Sequence, residues 1–261
     1  MEEKLAFIGA GSISEAWLEG FLAKGIKPEQ MMACDPRQER LEEIARRWGL
    51  PTSTVNRDGV AFADFVVLAT PPPLTLPVLQ ELLPALGSRH LVISLAAAVP
   101  VVRLEQAAPE IAMLRVMPNL PSLVGEGMNL VVFGASVPAV GRQRVQAMLE
   151  LLGNRMEVDD AQMDCWCALC AVGPTFLFPV IQSLHTAAVT RGLPPELAME
   201  AVSQVIAGTA HLALRGHRTV PQLERMIGLH TLKEEEAGRL FTAAYEQAVD
   251  RLHDLGRKLA A

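Results

Sequence analysis

The chain has 261 residues, half of them apolar, and a formal charge of −6. That length and apolar share suffice for one large core or two smaller ones, and two domains are expected. The negative balance, without a Lys/Arg-dense block, argues against nucleic acid or an anionic membrane as a partner.

The first predicted strand, over residues 4–8, breaks directly into Gly9-Ala10-Gly11-Ser12-Ile13-Ser14. This reads as strand, turn, helix. Gly9 permits the tight turn, Gly11 lets a backbone approach a pyrophosphate, and the amides of Ser12 and Ile13 open the next helix toward phosphate charge. Ser14 stands where the third glycine of Gly-x-Gly-x-x-Gly would, and is small enough for close helix-to-strand packing. A second strand over 31–34 ends at Asp35, the expected place for a ribose-binding carboxylate. A dinucleotide is therefore the expected cofactor, with a merely structural glycine turn as the alternative. Asp35 and Arg37 pull in opposite directions on its identity: a carboxylate favours the 2′-hydroxyl of NAD, a guanidinium the extra phosphate of NADP.

Residues 40–48 place Leu41, Ile44 and Ala45 among charges, the pattern of a surface helix. Further strands are expected over 65–69, 91–95, 112–116 and 129–133, with 155–158 as an edge strand. Strands alternating with helices predict an α/β fold, a Rossmann-like doubly wound and mostly parallel sheet over residues 1–160. Pro118 at the end of an inner strand stops the ladder, so Asn119 is expected to face the ligand crevice at the sheet's carboxyl edge, near the strand end at Ala69 and Thr70. A plain turn is the alternative for Asn119.

After Asp160 the β pattern stops, and residues 161–261 are expected to form an all-α domain broken at Gly192-Leu193-Pro194-Pro195, Gly216 and Pro221. Residues 168–189 and 197–214 are apolar beyond what a small bundle readily covers, so a homodimer through these helices is expected. A self-contained bundle is the alternative. Cys165 and Cys167 fall on nearly opposite sides of a helix and Cys34 is distant in sequence, so no metal site is expected. No uninterrupted apolar run reaches the ~18–20 residues of a membrane helix, and Glu2 and Glu3 stand where a secretory leader would be positive. A cytoplasmic location is expected.

Several segments taken together resemble the pyrroline-5-carboxylate reductases, enzymes that reduce a cyclic imine to proline with a nicotinamide cofactor. The likeness rests on Phe7-Ile8-Gly9-Ala10-Gly11, on Leu91-Val92-Ile93-Ser94-Leu95-Ala96-Ala97, and above all on the run from Arg115 through Met117-Pro118-Asn119-Leu120-Pro121 to Gly127. Further on, Met163-Asp164, Gly173-Pro174 and the run Ala187 to Pro194 match that family's dimer-forming helical domain in order and spacing. The resemblance implies a cofactor site including Asn56, Ala96 and Asn119, substrate contacts from Asn119, Gly173 and Pro174, and an oligomer of at least two copies. Asn56 also reads as a loop residue making local bonds. For the cofactor the resemblance leans toward NADPH, while Asp35 keeps NADH open.

The chain departs from that family where substrate is handled. The family's Lys-Pro-Gln after the third predicted strand is here Pro71-Pro72-Pro73, and its Ser-Gly-Ser-Gly-Pro-Ala-Tyr is Cys170-Ala171-Val172-Gly173-Pro174-Thr175-Phe176. The loop Ser-Pro-Gly-Gly-Thr-Thr is missing, and Met226 passes straight to Ile227-Gly228-Leu229-His230. Thr175 and His230 are the candidate replacements as proton donors. The expected function is NAD(P)H-dependent reduction of a cyclic imine. A reductase of another imine-like substrate and an inactive nucleotide-binding regulator are the alternatives.

Overall fold

The computed structural model describes residues 3–260; Glu2 and the leader reading built on it lie outside them. Eight strands form one sheet: β1 (Leu5–Ile8), β2 (Met31–Cys34), β3 (Thr52–Ser53), β4 (Phe65–Leu68), β5 (Leu91–Ser94), β6 (Ala112–Met117), β7 (Gly127–Phe133) and β8 (Gly153–Glu157). Their order is β3-β2-β1-β4-β5-β6-β7-β8. All neighbours are parallel except β6 and β7. The helices are α1 (Ser12–Ala23), α2 (Gln38–Trp48), α3 (Asn56–Phe62), α4 (Pro72–Leu82), α5 (Val101–Ala107), α6 (Ala139–Glu150), α7 (Met163–Cys170), α8 (Pro174–Thr190), α9 (Pro195–Arg215), α10 (Val220–Glu224) and α11 (Glu234–Ala260).

The period of two along a strand explains why the inner strands are apolar at every position. Leu5 and Phe7 of β1, with Phe65 and Val67 of β4, pack on one face against Trp17, Leu18 and Phe21 of α1 and Val145, Met148 and Leu149 of α6. Ile8, Val66, Leu68 and Val92 point the other way, against Val60 of α3, Leu79 and Leu82 of α4 and Leu104 of α5. Each such side chain contributes about 1.5–3 kcal/mol on burial. Both faces are therefore covered, and the carboxyl ends of β1, β2, β4, β5 and β6 share one edge of the sheet. The strand order reverses direction at β1, beside β4, which puts the crevice that binds ligands in such sheets next to Gly9.

The expected strands are present with bounds shifted by one or two residues: β1 starts at Leu5, β5 ends at Ser94, β7 starts at Gly127 and β8 spans Gly153–Glu157. β3, two residues long, gave no periodicity to read. β6 runs one residue further, through Met117, and β4 ends at Leu68, which leaves Ala69 beyond the ladder.

The chain divides into two compact units, one comprising residues up to Val172 and from Gln247 onward, the other Gly173–Glu246. The expected boundary at residue 160 is thus displaced. The physical reason is burial: Met163 and Cys167 of α7 join Met117, Leu130 and Val132 in one cluster, and Leu252 of α11 packs on it. Arg103 donates to the Leu259 carbonyl at 2.7 Å.

No uninterrupted apolar run of membrane-spanning length is expected from the sequence, yet two stretches pass a test of length and mean hydropathy alone. Asp160–Thr190 and Pro195–Arg215 both reach the length and mean hydropathy required. Mean hydropathy tolerates the few polar residues that interrupt a continuous apolar run. In the second unit Leu177, Phe178, Leu184, Leu197 and Val205 are exposed, so the apolar surface of α8 and α9 is not covered by a self-contained bundle.

Arg115 of β6 is almost wholly buried, and its Nη1 donates to Asp160 Oδ1 at 2.7 Å. Asp160 Oδ2 accepts from the Val101 N–H at 2.7 Å, so one carboxylate ties β6 to the first turn of α5. Among the described residues Nε and Nη2 of Arg115 have no hydrogen-bond partner, and Asp160 is the carboxylate paired with the buried guanidinium. Asp160→Ala should cost about 3–5 kcal/mol in denaturant unfolding, and Arg115→Met in the same chain should restore most of it. Equal losses in the single and double variants would contradict this account of the pair.

Candidate functional site

The glycine elbow after β1 is shaped by exclusion and by charge. Gly9 has φ +103°, and a Cβ there would meet the Ala69 carbonyl oxygen at 2.7 Å, so only glycine fits where the strand order reverses. A Cβ on Gly11 would meet nothing within 4 Å, which leaves an open cradle over the first turn of α1. Gly11 caps α1 without a side-chain bond, so the amides of Ser12 and Ile13 have no intrahelical acceptor. Ser14, in the third glycine's place, is buried and donates to the Gly9 carbonyl at 2.6 Å. Open space and outward amides fit a diphosphate.

Two charged side chains hold the residue between the glycines. Asp35 Oδ2 accepts from the Ala10 N–H at 2.9 Å, and Arg40 Nε donates to the Ala10 carbonyl at 2.8 Å. Arg40 also pairs with Glu15 of α1 at 2.5 Å and Glu43 at 3.0 Å, and Arg47 reaches Glu15 and Glu19. Sequence reasoning placed α2 as a surface helix and missed Arg40, because helical periodicity marks the apolar face and says nothing of which flanking cation bends inward. Asp35 itself is buried, and Arg37 grips it through Nε at 2.8 Å and Nη2 at 3.0 Å. Burial pushes the Asp35 carboxyl up, but the Arg37 side chain and the backbone N–H groups of Ala10 and Arg37 outweigh it and hold the group at about 2.

The other expected cofactor residues fall along the same edge. Ala69 and Thr70 follow β4, the Thr70 and Thr75 hydroxyls lie 3.3 Å apart, and Ala96 is buried just past β5. Asn56 opens α3 with its amide 3.4–3.5 Å from the Glu81 carboxylate. Asn119 follows β6, but its amide is turned to internal work. Oδ1 accepts from the Met128 N–H at 2.9 Å and Nδ2 donates to the Cys170 carbonyl at 3.1 Å, which ties the end of α7 to the sheet edge. That use of the amide differs from the open, ligand-facing side chain expected of Asn119, because β7 and α7 both pass within its reach.

Gly173, Pro174, Thr175 and His230 belong to the second unit. There Thr175 lines an apolar groove of about 460 Å³ with Phe176, Val180, Leu184 and Phe241. His230 is not part of that groove. It lies in the irregular link between α10 and α11 rather than on a helix, half exposed, with Nε2 2.7 Å from the Ile227 carbonyl and Nδ1 3.5 Å from Glu234. Among the described residues no group of His, Cys, Asp or Glu could hold a metal ion. Burial pushes the Cys34 and Cys167 thiols up to about 11, the behaviour of inert core residues.

A family profile described as NADP oxidoreductase, coenzyme F420-dependent, matches residues 4–98, and one described as pyrroline-5-carboxylate reductase dimerisation matches residues 160–255. The pyrroline-5-carboxylate reductase of Methanosarcina acetivorans is 30% identical over 98% of this chain and 99% of its own length. That of Pseudomonas aeruginosa is 32% identical over 95% and 92%. The chain belongs to the pyrroline-5-carboxylate reductase family. A crystal structure of Plasmodium falciparum pyrroline carboxylate reductase with NADP bound is similar at a TM-score of 0.83 and 25% identity, covering 100% of this chain and 99% of that one. A Coxiella burnetii pyrroline-5-carboxylate reductase structure gives 0.77 and 26%, covering 99% of each. Prephenate dehydrogenase from Aquifex aeolicus, at 14% identity and a TM-score of 0.55, shares the fold alone. The cofactor of this family member is NAD(P), and the dimerisation profile over the apolar helices supports a homodimer or larger oligomer.

With the folded Asp35 value below its unfolded 3.8, the carboxylate stabilises the fold at neutral pH and loses that contribution as pH falls from about 4 toward 2. Wild type should exceed Asp35→Asn by about 2 kcal/mol in urea unfolding at pH 7, and the gap should close through that acid window. A gap that is constant with pH would contradict the assignment.

Proposed function

We propose that the chain reduces the C=N bond of a cyclic imine, pyrroline-5-carboxylate first, with NAD(P)H as hydride donor. The observation that carries this reading is the open glycine elbow at the reversal of strand order, in a chain matched from end to end by pyrroline-5-carboxylate reductases. A bound reduced nicotinamide supplies the hydride to the imine carbon, and a proton on nitrogen completes the amine. The chain's own part is to bind, orient and protonate. The Ser12 and Ile13 amides would hold the cofactor's diphosphate, while Asp35 and Arg40 keep the Ala10 peptide still. Gly9 and Ala69 form the floor of the crevice, with Thr70 and Ala96 beside it. Asn119 fixes the end of α7 at the sheet edge through the Cys170 carbonyl.

We assign the proton-donor position to Thr175, which lines the apolar groove of the second unit, rather than to His230, which is outside that groove. The functional unit in this reading is a homodimer through α8 and α9, in the cytoplasm, the second copy covering the apolar helices. Ile227 to Lys233 replaces the longer substrate loop of the resembled family, so an imine without an α-carboxylate is the second candidate substrate.

Purified protein should oxidise NADPH or NADH, followed by loss of nicotinamide absorbance, with pyrroline-5-carboxylate or a cyclic imine lacking the carboxylate. Thr175→Val should lower kcat about 10²-fold with a small change in KM, whereas Thr175→Ser should retain most activity. No turnover across the imine panel would overturn the reductase reading, and an unchanged kcat in Thr175→Val would remove Thr175 from the reaction.

A further inference from the structure

Ala98 is held in a conformation that its own Cβ resists. The turn at Ala97-Ala98 follows β5, and Ala98 has φ +59°, in the left-handed region where a Cβ crowds the following carbonyl and glycine is the usual occupant. A residue in that state persists only where its surroundings over-determine it.

The surroundings do so from three sides. Upstream, the Leu95 N–H donates to the Leu68 carbonyl at 3.0 Å and the Ala96 N–H to Ser94 Oγ at 3.3 Å, which ties the turn to the ends of β4 and β5. Downstream, the Val101 N–H donates to Asp160 Oδ2 at 2.7 Å, and Asp160 pairs with the buried Arg115. On the third side is the last part of α11, which belongs to the same compact unit as the sheet. Leu252, Leu255, Gly256 and Leu259 are its shielded positions between Arg251 and Leu259, and their spacing of i, i+3, i+4 and i+7 makes them one face. Leu252 packs on the cluster that Ala97 and Val101 also join, and Leu259 packs on the one that holds Ala96 and Val99. Arg103 of α5 anchors the end of the helix through the Leu259 carbonyl. Between the two leucines a Cβ on Gly256 would lie 3.8 Å from the Ala98 Cβ, so a methyl just fits and a longer side chain meets the turn.

The place of the turn gives this grip a consequence. A dinucleotide crosses such a sheet from the end of the second strand, over the glycine elbow, to the far side of the crevice. In the order β2-β1-β4-β5 that far side is the ends of β4 and β5, where the turn stands beside Ala69 and Thr70. The hydride-carrying half of the cofactor belongs there, and a displacement of about 1 Å in reacting groups costs on the order of 10²-fold in rate.

We propose that the Leu252–Leu259 face of α11 is a clamp that holds the turn at Ala98 in its left-handed conformation and thereby positions the nicotinamide half of the cofactor. The inference rests on the nucleotide-binding reading above and adds the element that orients the reacting end.

The test uses the full chain as wild type, Gly256→Leu, Ala98→Gly and the double variant. Each is titrated calorimetrically with NADPH and NADH, and with 2′,5′-ADP and 5′-AMP, which carry only the adenosine ends of those cofactors. Gly256→Leu should weaken the dinucleotides about 3- to 10-fold, leave the two fragments within about two-fold, and lower kcat on a cyclic imine about 10-fold or more with little change in KM. Ala98→Gly alone should melt about 1–3 °C above wild type, because glycine takes the left-handed conformation unaided. In the double variant it should restore most of the dinucleotide affinity and kcat, since a turn that needs no clamp tolerates its loss. Leu259→Ala, which thins the clamp without adding bulk, is read in the same way and decides the question if Gly256→Leu does not fold. Equal loss of dinucleotides and fragments, no rescue by Ala98→Gly, or a lower melting temperature in Ala98→Gly would each overturn the proposal and leave the reductase reading standing. Absence of imine turnover in wild type, with the dinucleotide-specific loss and its rescue intact, would overturn the reductase reading alone. Failure of wild type to bind any of the four ligands overturns both.

Discussion

The Ala10 peptide is held at both ends, its N–H by Asp35 at 2.9 Å and its carbonyl by Arg40 at 2.8 Å, and the rest of the site depends on that grip. A glycine elbow free to relax would close its own amides in a turn and present nothing to a ligand. With the middle peptide taken by a carboxylate from the end of β2 and a guanidinium from α2, the amides beyond Gly11 are directed outward. The same two side chains extend the constraint into the fold. Arg40 joins α2 to α1 through Glu15, and Asp35 engages Arg37, so the cofactor edge and the packing of two helices are one electrostatic unit.

Much of this could be read from the residues, for identifiable reasons. Parallel strands buried on both faces leave continuous apolar runs, and Phe65-Val66-Val67-Leu68 and Leu91-Val92-Ile93 are unmistakable as such. Gly9 and Gly11 announce the elbow because no other residue fits the φ of the first or keeps the second open. What escaped was set by tertiary contacts. Arg40 is one cation among several on a charged helix, and Asp160, which compensates the buried Arg115, lies 45 residues away in the chain. Pro118 marks Asn119 as standing at the strand end, but the partners that occupy its amide, Met128 and Cys170, are brought there by β7 and α7. α7 looks like the start of a helical domain in sequence because its β signal has ended. Met163 and Cys167 place it with the sheet all the same.

The departures from the resembled family fall where structure gives them local explanations. Pro72 opens α4, a position where a missing N–H is harmless, so the triple proline is compatible with the helix that follows β4. Cys170 supplies its backbone carbonyl to Asn119, a role that needs no hydroxyl. The short link from Ile227 to Lys233 is the departure with a chemical consequence, because it leaves Thr175 and His230 as the candidate donors of the second unit, and only Thr175 lines its apolar groove.

The central claim is that this scaffold delivers a hydride from a pyridine nucleotide to an imine carbon. Its most direct measurement is label transfer: the protein is given NADPH carrying deuterium on one face of nicotinamide C4, together with pyrroline-5-carboxylate, and the product is read by mass spectrometry. Deuterium retained in the cyclic amine from one face and absent from the other is the predicted result. An amine without label from either face, or no amine at all, would contradict it.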